Sequence, residues 1–154
     1  MAGSLVNKAL VGETRIQLSD QFGRLEAFRS KSFTALASSG VISAFFAGRV
    51  ASVSTGLKIA GIASFAVTAL AAILIAVPRK TSQGIGPATY KAWADEHGDE
   101  ELAIDSFLAG AARDVVASWQ NNESKVALAS YLFLVQCVAL TAQLCVWLAI
   151  LASG

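Results

Sequence analysis

Charge is missing from long stretches of this chain. Residues 126–154 carry no Asp, Glu, Lys or Arg, and residues 32–78 carry only Arg49 and Lys58. Charged residues make up 15% of the 154, against 55% hydrophobic, where a soluble domain carries about 25% charged. That shortfall, with a mean hydropathy of +0.56, places the chain in the membrane class. The net charge of +1 gives no basic face for nucleic acid, and none is expected as a partner. The two cysteines, Cys137 and Cys145, are eight residues apart. One helix would hold them about 12 Å apart, too far for a disulfide, so they read as buried packing residues. There is one histidine, His97. A Gly-rich phosphate loop, an HExxH pair and a GxSxG elbow are all lacking. A Ser-His-Asp site has no footing with a single distant histidine. No catalytic, cofactor or metal residue is therefore expected, and the chain reads as a non-enzyme.

What is present is helical periodicity and apolar length. Residues 1–14 read as irregular, without the apolar core of a cleaved signal peptide. From Thr14 to Lys31, Leu18, Phe22, Leu25 and Phe28 recur at spacings of three and four, opposite Arg15, Asp20, Arg24, Glu26 and Arg29, which predicts an amphipathic helix. It leads into an uncharged stretch, Ser32 to Gly48, at the short limit for a spanning helix, with Arg49 placed to snorkel. After a polar turn at Ser52, Ser54, Thr55 and Gly56, Leu57 to Val77 is a second span, closed by Pro78, Arg79 and Lys80. Residues 81–98 read as a loop around Gly84, Gly86, Pro87 and Gly98. Asp99, Glu100 and Glu101 then fill the first turn of a second amphipathic helix, as the helix dipole favours. Ile104, Phe107, Leu108, Ala111, Val115 and Trp119 mark its apolar face. The polar run Gln120 to Lys125 either breaks this helix or crosses the headgroup layer. Val126 to Ser153 is a long third span.

The expected fold class is an all-α integral membrane protein: an antiparallel transmembrane hairpin, cytoplasmic amphipathic helices and a long third transmembrane helix. Its segments are 1–31 (N-terminal tail and amphipathic helix), 32–78 (hairpin), 79–125 (cytoplasmic loop and helix) and 126–154 (third span). Arg24, Arg29 and Lys31 precede the first span, Arg79 and Lys80 follow the second, and Lys125 precedes the third. Cations near span ends favour the cytoplasm, so the N-terminus is expected inside, the C-terminus outside, and the location the inner or cell membrane.

Intramembrane polar residues are the candidates for function. Gln136 and Gln143 are seven residues apart and share one helix face. A bare amide in hydrocarbon costs several kcal/mol, so both are expected to face protein or water, either bonding a neighbouring helix or lining a pore around an oligomer axis. Small residues repeat at every fourth position, at Gly40, Ala44 and Gly48 in the first span and at Gly56, Ala60, Ser64, Thr68 and Ala72 in the second. Such stripes let helices approach closely where lipid removes the hydrophobic drive. Tyr131 and Trp147, near opposite ends of the third span, suit interfacial aromatic belts. The acidic run around His97 lacks the alternating ligands of a calcium loop and reads as a solvated turn.

The stretch from Asp20 through Arg24, Arg29 and Lys31 to Gly40, a charged helix entering a short Ala/Gly-rich hairpin, resembles a loose group of small bacterial membrane proteins with two or three spans. Some of these are associated with nucleotide-signalling antiphage systems. The resemblance covers the layout of about residues 15–152 and implies self-assembly and membrane disruption on a signal. Two functions follow as expectations. One is a homo-oligomeric pore or regulated membrane assembly. The other is a structural or accessory subunit of a larger membrane complex. The partners in either case are the lipid bilayer and further membrane subunits, of the same or another chain.

Overall fold

The structure, a computed structural model, describes residues 2–47, 54–78, 80–81, 89, 92–93, 95–96 and 101–152. These residues form three helices and, among them, no strand: α1 (Ala2–Ala47), α2 (Thr55–Ala76) and α3 (Glu101–Ala152). Arg49, the turn residue Ser52, the loop around Gly84, Gly86 and Pro87, and His97, Gly98, Asp99 and Glu100 of the acidic run lie outside the described residues. By length and composition α2 and the Ile104–Ala152 part of α3 are long and apolar enough to cross a membrane. The described part of α1 falls short of that measure, because Ser32, Ser38, Ser39 and Ser43 dilute its apolar segment.

Of three local features, two depart from expectation and one decides between the alternatives left open. Residues 2–14, expected to be irregular, are helical. Proline is absent before Pro78, and Leu10, Thr14 and Leu18 continue the four-residue spacing, with Thr14 Oγ1 donating to the Leu10 carbonyl at 2.7 Å. The polar run 120–125, for which a break and a crossing of the headgroup layer were both open, does not break α3. Asn122 is fully buried and the Ser124 hydroxyl bonds the Asn121 carbonyl, so these groups are accommodated without leaving the helix. The third is the end of α2, which comes at Ala76 and not Val77. Val77 has φ −53° and ψ 122°, the extended geometry imposed on a residue that precedes proline.

The chain divides into two compact units, Met1–Arg24 with Arg79–Val126, and Leu25–Pro78 with Ala127–Gly154. In the first unit, Thr14, Leu18 and Gln21 of α1 are buried, as are Ala111, Ala112, Val115, Ser118 and Asn122 of α3. Gln21 Nε2 donates to Glu123 Oε2 at 2.8 Å and to the Trp119 carbonyl at 3.3 Å. Trp93 stacks on Phe107 with ring centroids 4.4 Å apart. Lys125 Nζ donates to the Lys80 carbonyl at 2.5 Å.

In the second unit the α1 and α3 segments run in the same direction, since Phe28 meets Phe133, Ser32 meets Gln136, and Phe46 meets Trp147. α1 enters this unit at Leu25, ahead of the boundary expected at 31, because Phe28 already packs on Phe133 (centroids 5.7 Å). On α2 the buried positions include Gly61, Thr68 and Ile75, each seven apart. The same spacing runs through Ala129, Gln136, Gln143 and Ile150 of α3. A seven-residue repeat keeps one seam of a helix facing its partner.

Candidate functional site

The second unit is built around two tiers of hydrogen bonds, each centred on a glutamine. At the first, Ser32 Oγ donates to Gln136 Oε1 at 2.7 Å. Gln136 Nε2 donates back to the Ser32 carbonyl at 2.9 Å and across to the Thr68 carbonyl of α2 at 3.4 Å. At the second, Ser39 Oγ donates to Gln143 Oε1, and Gln143 Nε2 donates to the Ser39 carbonyl at 3.2 Å and to Ser43 Oγ at 2.7 Å. Each primary amide has two N–H donors and one carbonyl acceptor, and all of them are used. In both tiers the amide grips a serine at two points, its hydroxyl and its own carbonyl.

The tiers are sealed. Gln136, Gln143, Thr68 and Ser39 are 0% exposed and Ser32 is 1% exposed. The two glutamines thus occupy the helix interface, with no amide group left over to face a water-filled lumen. Their spacing is repeated in their partners, because Ser32 and Ser39 are also seven apart and each lies 104 residues before its glutamine. On α2 the hydroxyls are satisfied locally. Thr68 Oγ1 donates to the Ser64 carbonyl at 3.0 Å, and Ser64 Oγ to the Ala60 carbonyl at 2.8 Å.

The small-residue stripes are placed differently from the glutamines. Gly40 is half-buried, Ala44 and Gly56 are exposed, and Ala60 and Ser64 are half-buried. Gly48 lies outside the described residues. A Cβ added at Gly40 or Gly56 would meet nothing within 4 Å, so neither glycine is at a close helix contact. Gly61 is: a Cβ there would sit 3.4 Å from the Trp147 ring. Its signal was a glycine seven residues before Thr68, in phase with the buried face and out of phase with the stripe.

Trp147, expected at an interfacial belt, is 7% exposed and stacks on Phe46 at 4.9 Å between centroids and 8° between planes. Packing against Gly61 draws the ring inward and leaves its Nε1 without a hydrogen-bond partner among the described residues. Tyr131 is exposed. Cys137 is half-buried and Cys145 exposed, not the buried pair expected. Cys145 lies two residues past Gln143, on the far side of the helix from the seam.

Ser32, Ser39 and Ser43 are the site residues that sequence reasoning missed. The available signal was the shared seven-residue spacing of Ser32 and Ser39 with that of Gln136 and Gln143. Comparison with protein-family models, curated proteins and solved structures found no match for this chain. What the fold defines is an all-helical protein with two helices capable, by length and composition, of crossing a membrane.

Proposed function

We propose that the chain is an integral membrane protein with three crossings, and that it serves as a structural or accessory subunit of a membrane assembly without chemistry of its own. One observation carries the reading: the second unit buries amides and hydroxyls while turning large apolar side chains outward. Its least exposed side chains, Gln136, Gln143, Thr68, Ser32 and Ser39, are polar, and they pack among the buried Ala72, Ile75, Ala129, Trp147 and Ile150. Its exposed side chains include Phe33, Val41, Phe45, Ile62, Leu70, Ile73, Leu134, Val138 and Leu148, each at least 55% exposed. Water would penalise that arrangement at roughly 25 cal/mol per Å² of apolar surface. Hydrocarbon favours it, because only there does a buried amide outcompete a buried leucine for helix association.

α1 is too serine-rich to enter hydrocarbon as readily as α2 and α3, and the two glutamine tiers compensate for this. The common direction of α1 and α3 in this unit suits an odd number of crossings. The cations at 24–31, 79–80 and 125 then favour a cytoplasmic N-terminus and an external C-terminus. The subunit reading is preferred to a glutamine-lined pore because both amides are fully used within one chain. A homo-oligomeric pore or regulated assembly is the second reading, favoured by the broad apolar exterior, on which copies have room to pack.

The test is native mass spectrometry of the chain extracted gently from its own membranes, after alkaline carbonate washing. Retention in the washed membrane and co-purification with other chains at a fixed ratio is the expected result. Release by carbonate would end the membrane reading. A discrete homo-oligomer that passes ions in liposomes would replace the subunit with the pore.

A further inference from the structure

The first unit carries a groove of about 430 Å³ whose lining is mostly aliphatic, with Leu10 of α1 on one side and Ala109, Val116 and Ala117 of α3 along its length. Arg113 and Gln120 also line it, seven residues apart on the same face of α3. No carboxylate is among the lining residues, and among the described residues no ion pair engages Arg113, the one pair found there being Arg29 with Glu26. An apolar trough with an unneutralised guanidinium at its edge is complementary to a molecule that is apolar along its length and anionic at one end.

Size narrows the occupant. From 109 to 120 the groove follows about 16 Å of helix at 1.5 Å per residue. Along α3 the lining between Arg113 and Gln120 is Val116 and Ala117, with Ala109 and Ala112 before them, a strip of short apolar side chains on which one extended hydrocarbon chain can lie. Leu10 is 42% exposed, and covering it and its neighbours with an acyl chain removes apolar surface from water. We propose that this groove binds a single-chain anionic amphiphile of the fatty-acid type, with its carboxylate on Arg113 and its chain laid over Ala109, Val116 and Ala117. The geometry lies within the first unit and does not rest on the membrane reading.

The experiment uses the full chain held in solution by an amphipathic polymer, with a sixteen-carbon fatty acid bearing a photoreactive diazirine as probe, and peptide mapping of the adducts. Adducts are expected on the peptides holding Leu10 and residues 109–120. Ala117→Phe, at an exposed position that fills the groove, is expected to reduce them at least tenfold. Arg113→Gln, also at an exposed position, is expected to reduce them several-fold. It should also abolish the preference for the acid over the matching fatty alcohol. Circular dichroism and thermal melting of each variant guard against unfolding. Adducts spread over α2 and the end of α3 and insensitive to both variants would overturn the proposal. So would equal labelling by acid and alcohol in the native chain, since the charge on Arg113 would then have no part.

Discussion

Gln136 and Gln143 differ from most polar residues on helices because every donor and acceptor they have is occupied inside the chain. Replacing one by leucine removes three hydrogen bonds, yet the serine hydroxyl left behind can turn to its own helix, as Thr34 does by donating to the Ser30 carbonyl at 3.1 Å. The loss is thereby limited. Interhelical bonds of this kind are worth about 0.6 kcal/mol on average and up to about 1.7. Gln136→Leu is expected to lower stability by about 1–2 kcal/mol. A double-mutant cycle with Ser32→Ala should show positive coupling of the same order, read from denaturant unfolding in mixed micelles. Zero coupling would mean the tier contributes no net energy. Gly61→Leu belongs at this scale too. Its side chain would meet the Trp147 ring, already 3.4 Å from a mere Cβ, and overpacking costs typically 1–3 kcal/mol; the melting temperature and the Trp147 emission should both shift. At this scale the sequence was half legible. The glutamines announced themselves, since an amide in an apolar run is costly unless paired. Their serine partners did not, because a serine in a helix ordinarily satisfies itself on the preceding turn.

Helix periodicity decides which residues face inward. On α1, Ser32 and Ser39 keep a seven-residue interval, as do Gly61, Thr68 and Ile75 on α2 and Ala129, Gln136, Gln143 and Ile150 on α3. One alanine inserted between Val138 and Ala139 would rotate everything beyond it by about 100°, turning Gln143 out of its tier and Trp147 off Phe46. That insertion is expected to destabilise the second unit more than Gln143→Leu, by thermal melting in the same micelles. α2 was the most legible element, bounded by a polar turn and by Pro78. The start of α1 was the least, because residues 2–13 carry neither a strong cap nor a long apolar stripe, and their helicity is inherited from the turns that follow. The polar run at 120–125 left two readings open, a break or a continuous helix through the headgroup layer; the helix is continuous, with Asn122 alone turned into the packed face.

For the molecule as a whole, the distribution of polarity makes a prediction whose sign depends on the surrounding solvent. Ile62, Leu134 and Val138 are each at least 60% exposed. In a water-soluble protein, replacing any of them by arginine would improve solubility at little cost. In a bilayer the same change costs about 2.5–3.5 kcal/mol on insertion scales when it falls at the centre of a span. Val138→Arg is therefore expected to reduce membrane integration, measured as the carbonate-resistant fraction, with Ser124→Arg in the exposed polar run as a neutral control. Equal integration of the two would count against the membrane reading.

The two tiers are near copies of one another, and copies invite misalignment. If α1 slid along α3 by one repeat, about 10.5 Å, Ser39 would find Gln136 in place of Ser32, and one grip would survive the slip intact. The serines and glutamines alone cannot tell the two alignments apart by kind, only by number. What distinguishes them within this unit is the aromatic pair at either end, Phe28 on Phe133 and Phe46 on Trp147, as the bonds of Gln21 to Glu123 and the Trp119 carbonyl do in the first unit. In the slipped alignment Phe46 would land on Gln143, leaving an amide stranded against a ring. The aromatics act as end stops on a two-notch rack, and removing them by Phe28→Ala with Phe46→Ala should release a second, offset alignment, detectable as a new set of crosslinks between cysteines placed one repeat apart.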